Sequence, residues 1–433
     1  MSRARSVVIH GHFYQPPREN PWTGVVEQEL NAAPDHDWNA RITRECYAPL
    51  AAIPIGGGPP DERPTVNAYR YTSFDVGPTL ASWLELEAPD AFAAMLEGDA
   101  DSRSRLGHGN AMAMPYHHVI LPLCSRRDKV TEVRWGLEDF RRTFRREATG
   151  MWLPETAADE ETLDVLAAEG IAFTVLAPHQ IVAPPASGLP VNYKTGGGRS
   201  IALFAYDGAG SHGVAFGKML EDAVEWERAL LADPAREVVS IATDGETFGH
   251  HHRFGDLALG ALLDHLGKRK DVRVVNFASV LADHPPAAAA MLVAPSSWSC
   301  VHGVERWRAE CGCRVKAGTQ QRWRAPLREA IDWLVREIHA LYDRRGSALI
   351  EMERCTLASM TSCGWFFDDF AGLEGRQVLR YAARAIALAG ADGPRLEKGL
   401  LSRLRGAISN DPAAGSAEAF YRRDVLPKRT VMG

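Results

Sequence analysis

Short apolar runs alternate with stretches of helical periodicity along most of the chain. Runs at 6–10 (SVVIH), 150–153 (GMWL), 171–176 (IAFTVL), 200–205 (SIALFA), 237–243 (EVVSIAT) and 272–276 (VRVVN) predict strands. Helical patterns cover 158–169, 216–232, 255–267, 323–343 and 374–389. In ADEETLDVLAAE (158–169), Leu163, Leu166 and Ala167 recur at helical spacing behind an acidic first turn that complements the helix dipole. Near-continuous apolar strands separated by amphipathic helices predict an α/β fold around a parallel sheet buried on both faces. Strand signals fade after the Ala/Pro-rich stretch 283–297, which reads as a junction. The expected organisation is a larger domain over 1–285 and a smaller, mainly helical one over 286–433. The Pro- and Gly-rich segments 51–66 and 178–198 are expected as surface loops, bordering a binding site or simple excursions.

Polar residues cluster where three of the runs stop. SVVIH gives way to His10-Gly-His12, GMWLP to Glu155, and VVSIAT to Asp244-Gly-Glu246. Parallel α/β sheets and barrels carry their sites at the carboxyl ends of strands. Pro154 restricts Leu153 to extended geometry, so Glu155 is expected to project from a strand end. Its bland alternative is an acid at a helix N-terminus. Trp152 beside it offers an aromatic platform for a sugar ring. Gly245 relieves crowding at the turn after Asp244, and Glu246 lies near enough to raise its neighbour's pKa. Two carboxylates from different strands are what glycoside cleavage requires. The same histidines and Asp244, with the run His250 to His252, also fit a metal site of the zinc deacetylase or metal-dependent mannosidase kind. His252 alone reads as an exposed helix start.

Charge and cysteine content narrow the classes. A formal net charge of −6 leaves no electrostatic footprint for nucleic acid or an anionic membrane, and RRTFRRE (141–147) reads as a solvated helix face. No secretory signal and no apolar window of about 18 residues is present, so a cytoplasmic protein without a membrane span is expected. Seven cysteines without regular spacing do not suggest a disulfide framework. Cys300, His302, Cys311 and Cys313 form a possible zinc tetrad, but their spacings differ from common zinc knuckles. The favoured reading is small buried thiols holding a loop that presents Trp298 or Trp307 towards a cleft, with core packing the alternative for the tryptophans. Asn67, Tyr69 and Tyr71 are candidate cleft residues, and Gly107-His108-Gly109-Asn110 resembles a flexible active-site turn. No G-x-S-x-G elbow or dinucleotide fingerprint appears.

Five stretches in order resemble glycoside hydrolase family 57, in the branch with an added domain of once-unknown function. They are IHGHFYQPP (9–17), GNAMAMPYHHVILPL (109–123), MWLPE (151–155), TDGETFGHH (243–251) and TSCGWFFDDFAGLEGRQVLRYAARAI (361–386). The resemblance implies an incomplete (β/α)7 barrel followed by a helical domain, acting with retention on α-glucans or maltooligosaccharides as an amylase, 4-α-glucanotransferase or branching enzyme. It implies Glu155 as nucleophile and Asp244 as general acid/base. His10, His12, His118, Trp152, Glu246, His250 and His251 would contact substrate, Trp365 would close the site from the helical part, and no metal or cofactor is implied. Phe13 and Tyr14 separate His12 from Gln15-Pro16-Pro17, and many relatives carry a tryptophan where this chain has His250 or His251. Relatives are also expected to continue in a longer helical tail than one ending at Gly433. Two further readings are a metal-dependent deacetylase or mannosidase on a similar barrel and a catalytically silent glucan-binding protein.

Overall fold

The computed structural model describes residues 4–59, 62–345 and 349–427. The chain divides into two compact units. The first takes the chain up to Gln15, then Gln28–Tyr116 and Lys129–Ala294; the second takes Pro16–Glu27, His117–Asp128 and the chain from Pro295. Two excursions, 16–27 and 117–128, therefore belong to the second unit, where a single cut after 285 puts them in the first. A hydrophobic pattern reports what kind of element forms, and carries no record of which distant segment it packs with.

The first unit is built around the strand Arg5–Phe13. Its central Val7, Val8 and Ile9 are fully buried. On one side it pairs in parallel with Val238–Asp244, in register from Ser6 opposite Val238 to His12 opposite Asp244. On the other it pairs with Val272–Val274 at its start and Ser73–Val76 at its end. Ser73–Val76 pairs in parallel with Ala111–Met112. Parallel bridges then join Ala113 to Met151 and Gly150 to Phe173. Phe173–Leu176 pairs with Ser200–Ala205, and the Asp207 N–H donates to the Ser240 carbonyl at 2.7 Å, returning to Val238–Asp244. The chain forms the α/β fold of an incomplete (β/α)7 barrel, with all these strands delivering their carboxyl ends to one rim.

Local differences from the sequence expectation have local causes. The predicted strand 150–153 is reduced to single bridges at Gly150 and Met151, because the chain turns at Leu153–Thr156. The predicted loop 178–198 holds a strand, Val191–Lys194, antiparallel to Ser200–Ala205, and the predicted loop 51–66 holds the antiparallel pair Ile53–Pro54 and Thr65–Val66. The helix expected from 216 starts at Ala223, where the Asp222 carboxylate accepts from the N–H groups of Val224 and Glu225 at 2.8 and 3.2 Å.

The second unit is mainly helical, with Arg324–Arg345, Ile350–Ala358, Leu373–Leu388 and Gly393–Leu404 as its longer helices. Along Arg324–Arg345, Leu327, Ala330, Ile331, Leu334, Ile338 and Leu341 recur every three or four residues and are fully buried. Each of the larger ones contributes about 1.5–3 kcal/mol by leaving water. Among the described residues no helix is long and apolar enough to cross a membrane.

Candidate functional site

Strand register assembles the first part of the site. His12 lies opposite Asp75 in one neighbouring strand and opposite Asp244 in the other. The Asp75 carboxylate is fully buried and meets both histidines: Oδ1 is 3.1 Å from His10 Nε2 and Oδ2 is 2.8 Å from His12 Nδ1. His10 Nδ1 is 3.1 Å from Ser73 Oγ. Burial alone disfavours charge on all of these groups. For His12 the opposing fields of Asp75, Asp244 and Glu246 win, lifting it to about 9 and making it the cation of the cluster. His10 goes the other way: burial lowers it and outweighs its bond to Asp75. Asp75 is itself desolvated, yet His12 and His10 hold its carboxyl below the usual range.

Asp244 ends the strand Val238–Asp244 and is half-buried. Desolvation raises its pKa, with His12 opposing and Asp75 adding to the rise. Glu246, two residues on, is buried and pushed up to about 7, first by desolvation and then by the Asp244 charge. Its Oε1 accepts from the Tyr47 hydroxyl at 2.5 Å and from the Tyr14 N–H at 3.3 Å. Glu246 therefore holds its proton into the neutral range, beside the charge of Asp244. Gly245 between them is required for space: a Cβ there would sit 2.2 Å from the Phe13 ring. Tyr206, just past Ser200–Ala205, has its hydroxyl held protonated by burial and by the field of Asp244.

Glu155 occupies a strained turn at the same rim. It has φ 57° and ψ 19°, and Thr156 follows with φ 48°. Two consecutive left-handed residues with side chains cost on the order of 1–3 kcal/mol each and persist only when their surroundings hold them. The holder is Gln180, itself fully buried. Its Oε1 accepts from Thr156 Oγ1 at 2.7 Å and from the Ala177 N–H at 2.9 Å, while its Nε2 donates to the Thr156 carbonyl at 2.8 Å. The helix after this turn starts at Glu160 behind its own cap, Asp159, so Glu155 is not an acid of that helix's first turn.

Several expected contacts have different surroundings. Trp152 is fully buried, with its ring stacked 4.5 Å from His10 and 5.6 Å from His12. It braces the histidines and is not an open sugar platform. His10 is likewise fully buried and braces Asp75. His250 pairs with Glu45 at 2.6 Å and packs edge-on to Trp38, His251 is exposed, and His252 meets the Ala215 carbonyl at 2.8 Å. His118 and Trp365 belong to the second unit. There His118 Nδ1 lies 2.6 Å from Ser362 Oγ, and Trp365 is fully buried, donating to the Arg324 carbonyl at 3.3 Å beneath the Arg328 guanidinium. Trp365 is core there, as is the fully buried Trp307, because apolar ring area is worth more inside than facing water.

The turn 107–110 is a helix stop at the opposite end of the ring. Gly107 is left-handed at φ 75° and closes the helix Pro89–Leu106, and Asn110 precedes the amino end of Ala111–Met112. Tyr69 supports the site from behind, donating to the Tyr47 carbonyl at 3.1 Å, while Asn67 caps its own turn by accepting from the Tyr69 N–H.

Residues 102–293 match the family model described as glycosyl hydrolase family 57. Over that region the chain is similar to glycosyl hydrolase family 57. Residues 345–432 match a second model, a domain of unknown function (DUF3536). No curated protein matches the chain in sequence. Among solved structures, an exo-type maltose-forming amylase from Pyrococcus sp. ST04 is similar at 15% identity and TM-score 0.72, over 98% of this chain and 93% of that one. A branching enzyme of the same family from Pyrococcus horikoshii is similar at 15% identity and TM-score 0.61, over 98% and 95%. A 4-alpha-glucanotransferase from Thermococcus litoralis is similar at 15% identity and TM-score 0.63, over 89% of this chain, which spans 60% of that longer one.

Glu155, Asp244 and Glu246 lie inside the region matched to family 57; His10, His12, Tyr47 and Asp75 precede it. Sequence reasoning missed Asp75, Tyr47, Tyr206 and Gln180. Asp75 carried one usable signal, a carboxylate between Phe74 and Val76 in a short apolar run.

Proposed function

We propose that this chain is a member of glycosyl hydrolase family 57 that cleaves α-glucans with retention, with Glu155 as nucleophile and Asp244 as general acid/base. The reading rests on one arrangement: a carboxylate on a strained, clamped turn and a second carboxyl group, whose hold on a proton desolvation strengthens, end strands of the same barrel rim. The Glu155 carboxylate attacks the anomeric carbon while the bond to the leaving oxygen breaks and Asp244 gives that oxygen its proton. A glycosyl ester on Glu155 results. Asp244 then takes a proton from water or a sugar hydroxyl as that oxygen attacks, which frees Glu155. The positive His12 stabilises Asp244 once it has lost its proton, and Glu246 with Tyr47 offers hydrogen bonds to hydroxyl groups. The relatives whose names specify an amylase, a glucanotransferase and a branching enzyme support an α-glucan as substrate.

Incubating the wild type and Glu155→Ala with maltooligosaccharides tests the reading. Disproportionated lengths indicate a transferase, shortening alone a hydrolase, and new α-1,6 linkages a branching enzyme. Binding of amylose without any change in chain length would instead mark a silent glucan-binding protein. Near-normal rates in Glu155→Ala would remove Glu155 as nucleophile.

A further inference from the structure

Between residues 297 and 323 the only helix or strand is a single turn, Glu305–Trp307. A structureless stretch of this length inside a compact unit needs something other than backbone ladders to hold it. The second unit brings together the four metal-ligating side chains of this stretch. Their ligand atoms, on Cys300, His302, Cys311 and Cys313, all lie within 4.8 Å of one another. Cys313 Sγ is 3.8 Å from Cys300 Sγ and 3.7 Å from His302 Nδ1. A tetrahedral zinc with Zn–S of about 2.3 Å and Zn–N of about 2.0–2.1 Å has S···S edges of about 3.8 Å and S···N edges of about 3.5 Å. A disulfide would need its sulfurs at about 2.0 Å, and Cys300, Cys311 and Cys313 are all free thiols.

We propose that Cys300, His302, Cys311 and Cys313 bind one structural zinc ion that staples this segment. Two features outside the tetrad fit the ion. Main-chain N–H groups of His302 and Arg306 donate to the Cys300 sulfur, the outer bonds that a zinc thiolate uses. Three thiolates, one neutral imidazole and Zn²⁺ sum to one negative charge. The fully buried Arg324, which donates to the Cys313 carbonyl at 2.9 Å, has Nε and Nη2 with no acceptor. Two buried guanidinium nitrogens without acceptors are costly, and a neighbouring anionic centre offsets that cost. The unusual C-x-H and C-x-C spacings suit a site closed from two short arms, and the closed fold replaces the reading of the thiols as mere packing.

The ion would fix what the segment carries. Arg306 stacks 3.7 Å over Phe366 and donates to its carbonyl, and Arg328 donates to the Trp307 carbonyl at 2.9 Å. Zinc loss should therefore loosen the turn Cys363–Phe366 and lower thermal stability.

The test measures metal, not glucan turnover, so its outcome is independent of the catalytic proposal. The purified full chain should contain about one zinc per molecule. Exchanging it for cobalt should give thiolate charge-transfer and tetrahedral d–d absorption. Cys311→Ser/Cys313→Ser should lose at least nine-tenths of the zinc. Should that variant fail to fold, cobalt titration of the metal-stripped wild type decides alone. A wild type with no zinc and no cobalt spectrum, a variant that keeps its zinc, or a Cys300–Cys313 disulfide in the native protein would overturn the proposal.

Discussion

The rim of the barrel and the 297–323 segment both gather reactive side chains, by opposite means. At the rim, parallel ladders set His12 between Asp75 and Asp244, so the backbone supports itself and the side chains are left for chemistry. In the segment no ladder exists, and the side chains of Cys300, His302, Cys311 and Cys313 converge where the backbone needs support. The first pattern suits catalysis, since a rigid frame holds ionisable groups whose pKa values are pushed apart. The second suits a staple. Between them stands the Glu155 turn, placed by a strand end yet held by a side chain, Gln180.

Substitutions can break this contrast in graded steps. Glu155→Ala should lower kcat for glycosyl transfer by about 10³-fold or more while leaving the melting temperature nearly unchanged, since the residue is strained in place. Rates on a maltooligosaccharide, alongside a melting curve, check both halves.

Gln180→Leu comes next. It strips partners from Thr156 and the Ala177 N–H, at about 1–3 kcal/mol per buried group, and releases the turn. The expected kinetic signature is a fall in kcat of about tenfold with KM little changed, measured well below the melting point. An unchanged kcat would mean that Gln180 serves stability alone.

His12 supplies a pH test. Its folded pKa of about 9 lies above its ordinary 6.5. A group raised in the fold contributes fully below its unfolded pKa and loses that contribution as pH rises through the folded one. Wild-type stability should therefore decline between about pH 6.5 and 9, by up to roughly 3 kcal/mol. His12→Gln should flatten that decline; an equal slope in denaturant titrations of both proteins would assign it elsewhere.

The smallest effect belongs to Glu246→Gln. Burial and the Asp244 charge raise Glu246 to about 7, so any titration near pH 7 in the kcat/KM profile should disappear in the variant. A titration near pH 7 that persists in the variant would assign it to another group.

Much of the rim was legible in the chain. SVVIH and VVSIAT are apolar because both strand faces are buried, and the polar residues following them had to appear at a rim. Glu155, Asp244 and Glu246 were readable for that reason. Asp75 was not, because its strand is four residues long, too short to announce a period. Trp152 misled because an indole beside a carboxylate looks the same in sequence whether its faces meet sugar or imidazole.

By itself, the order of residues determined the parallel α/β character, the rim carboxylates and the presence of thiols and an imidazole within 300–313, since these follow from local periodicity and side-chain chemistry. Tertiary structure alone decided that His10 and His12 converge on Asp75, that Gln180 grips Thr156, and that four ligands from two short arms meet. Such pairings depend on how a ring of strands and a set of loops close in space, and closure is a property of distances that no local pattern encodes.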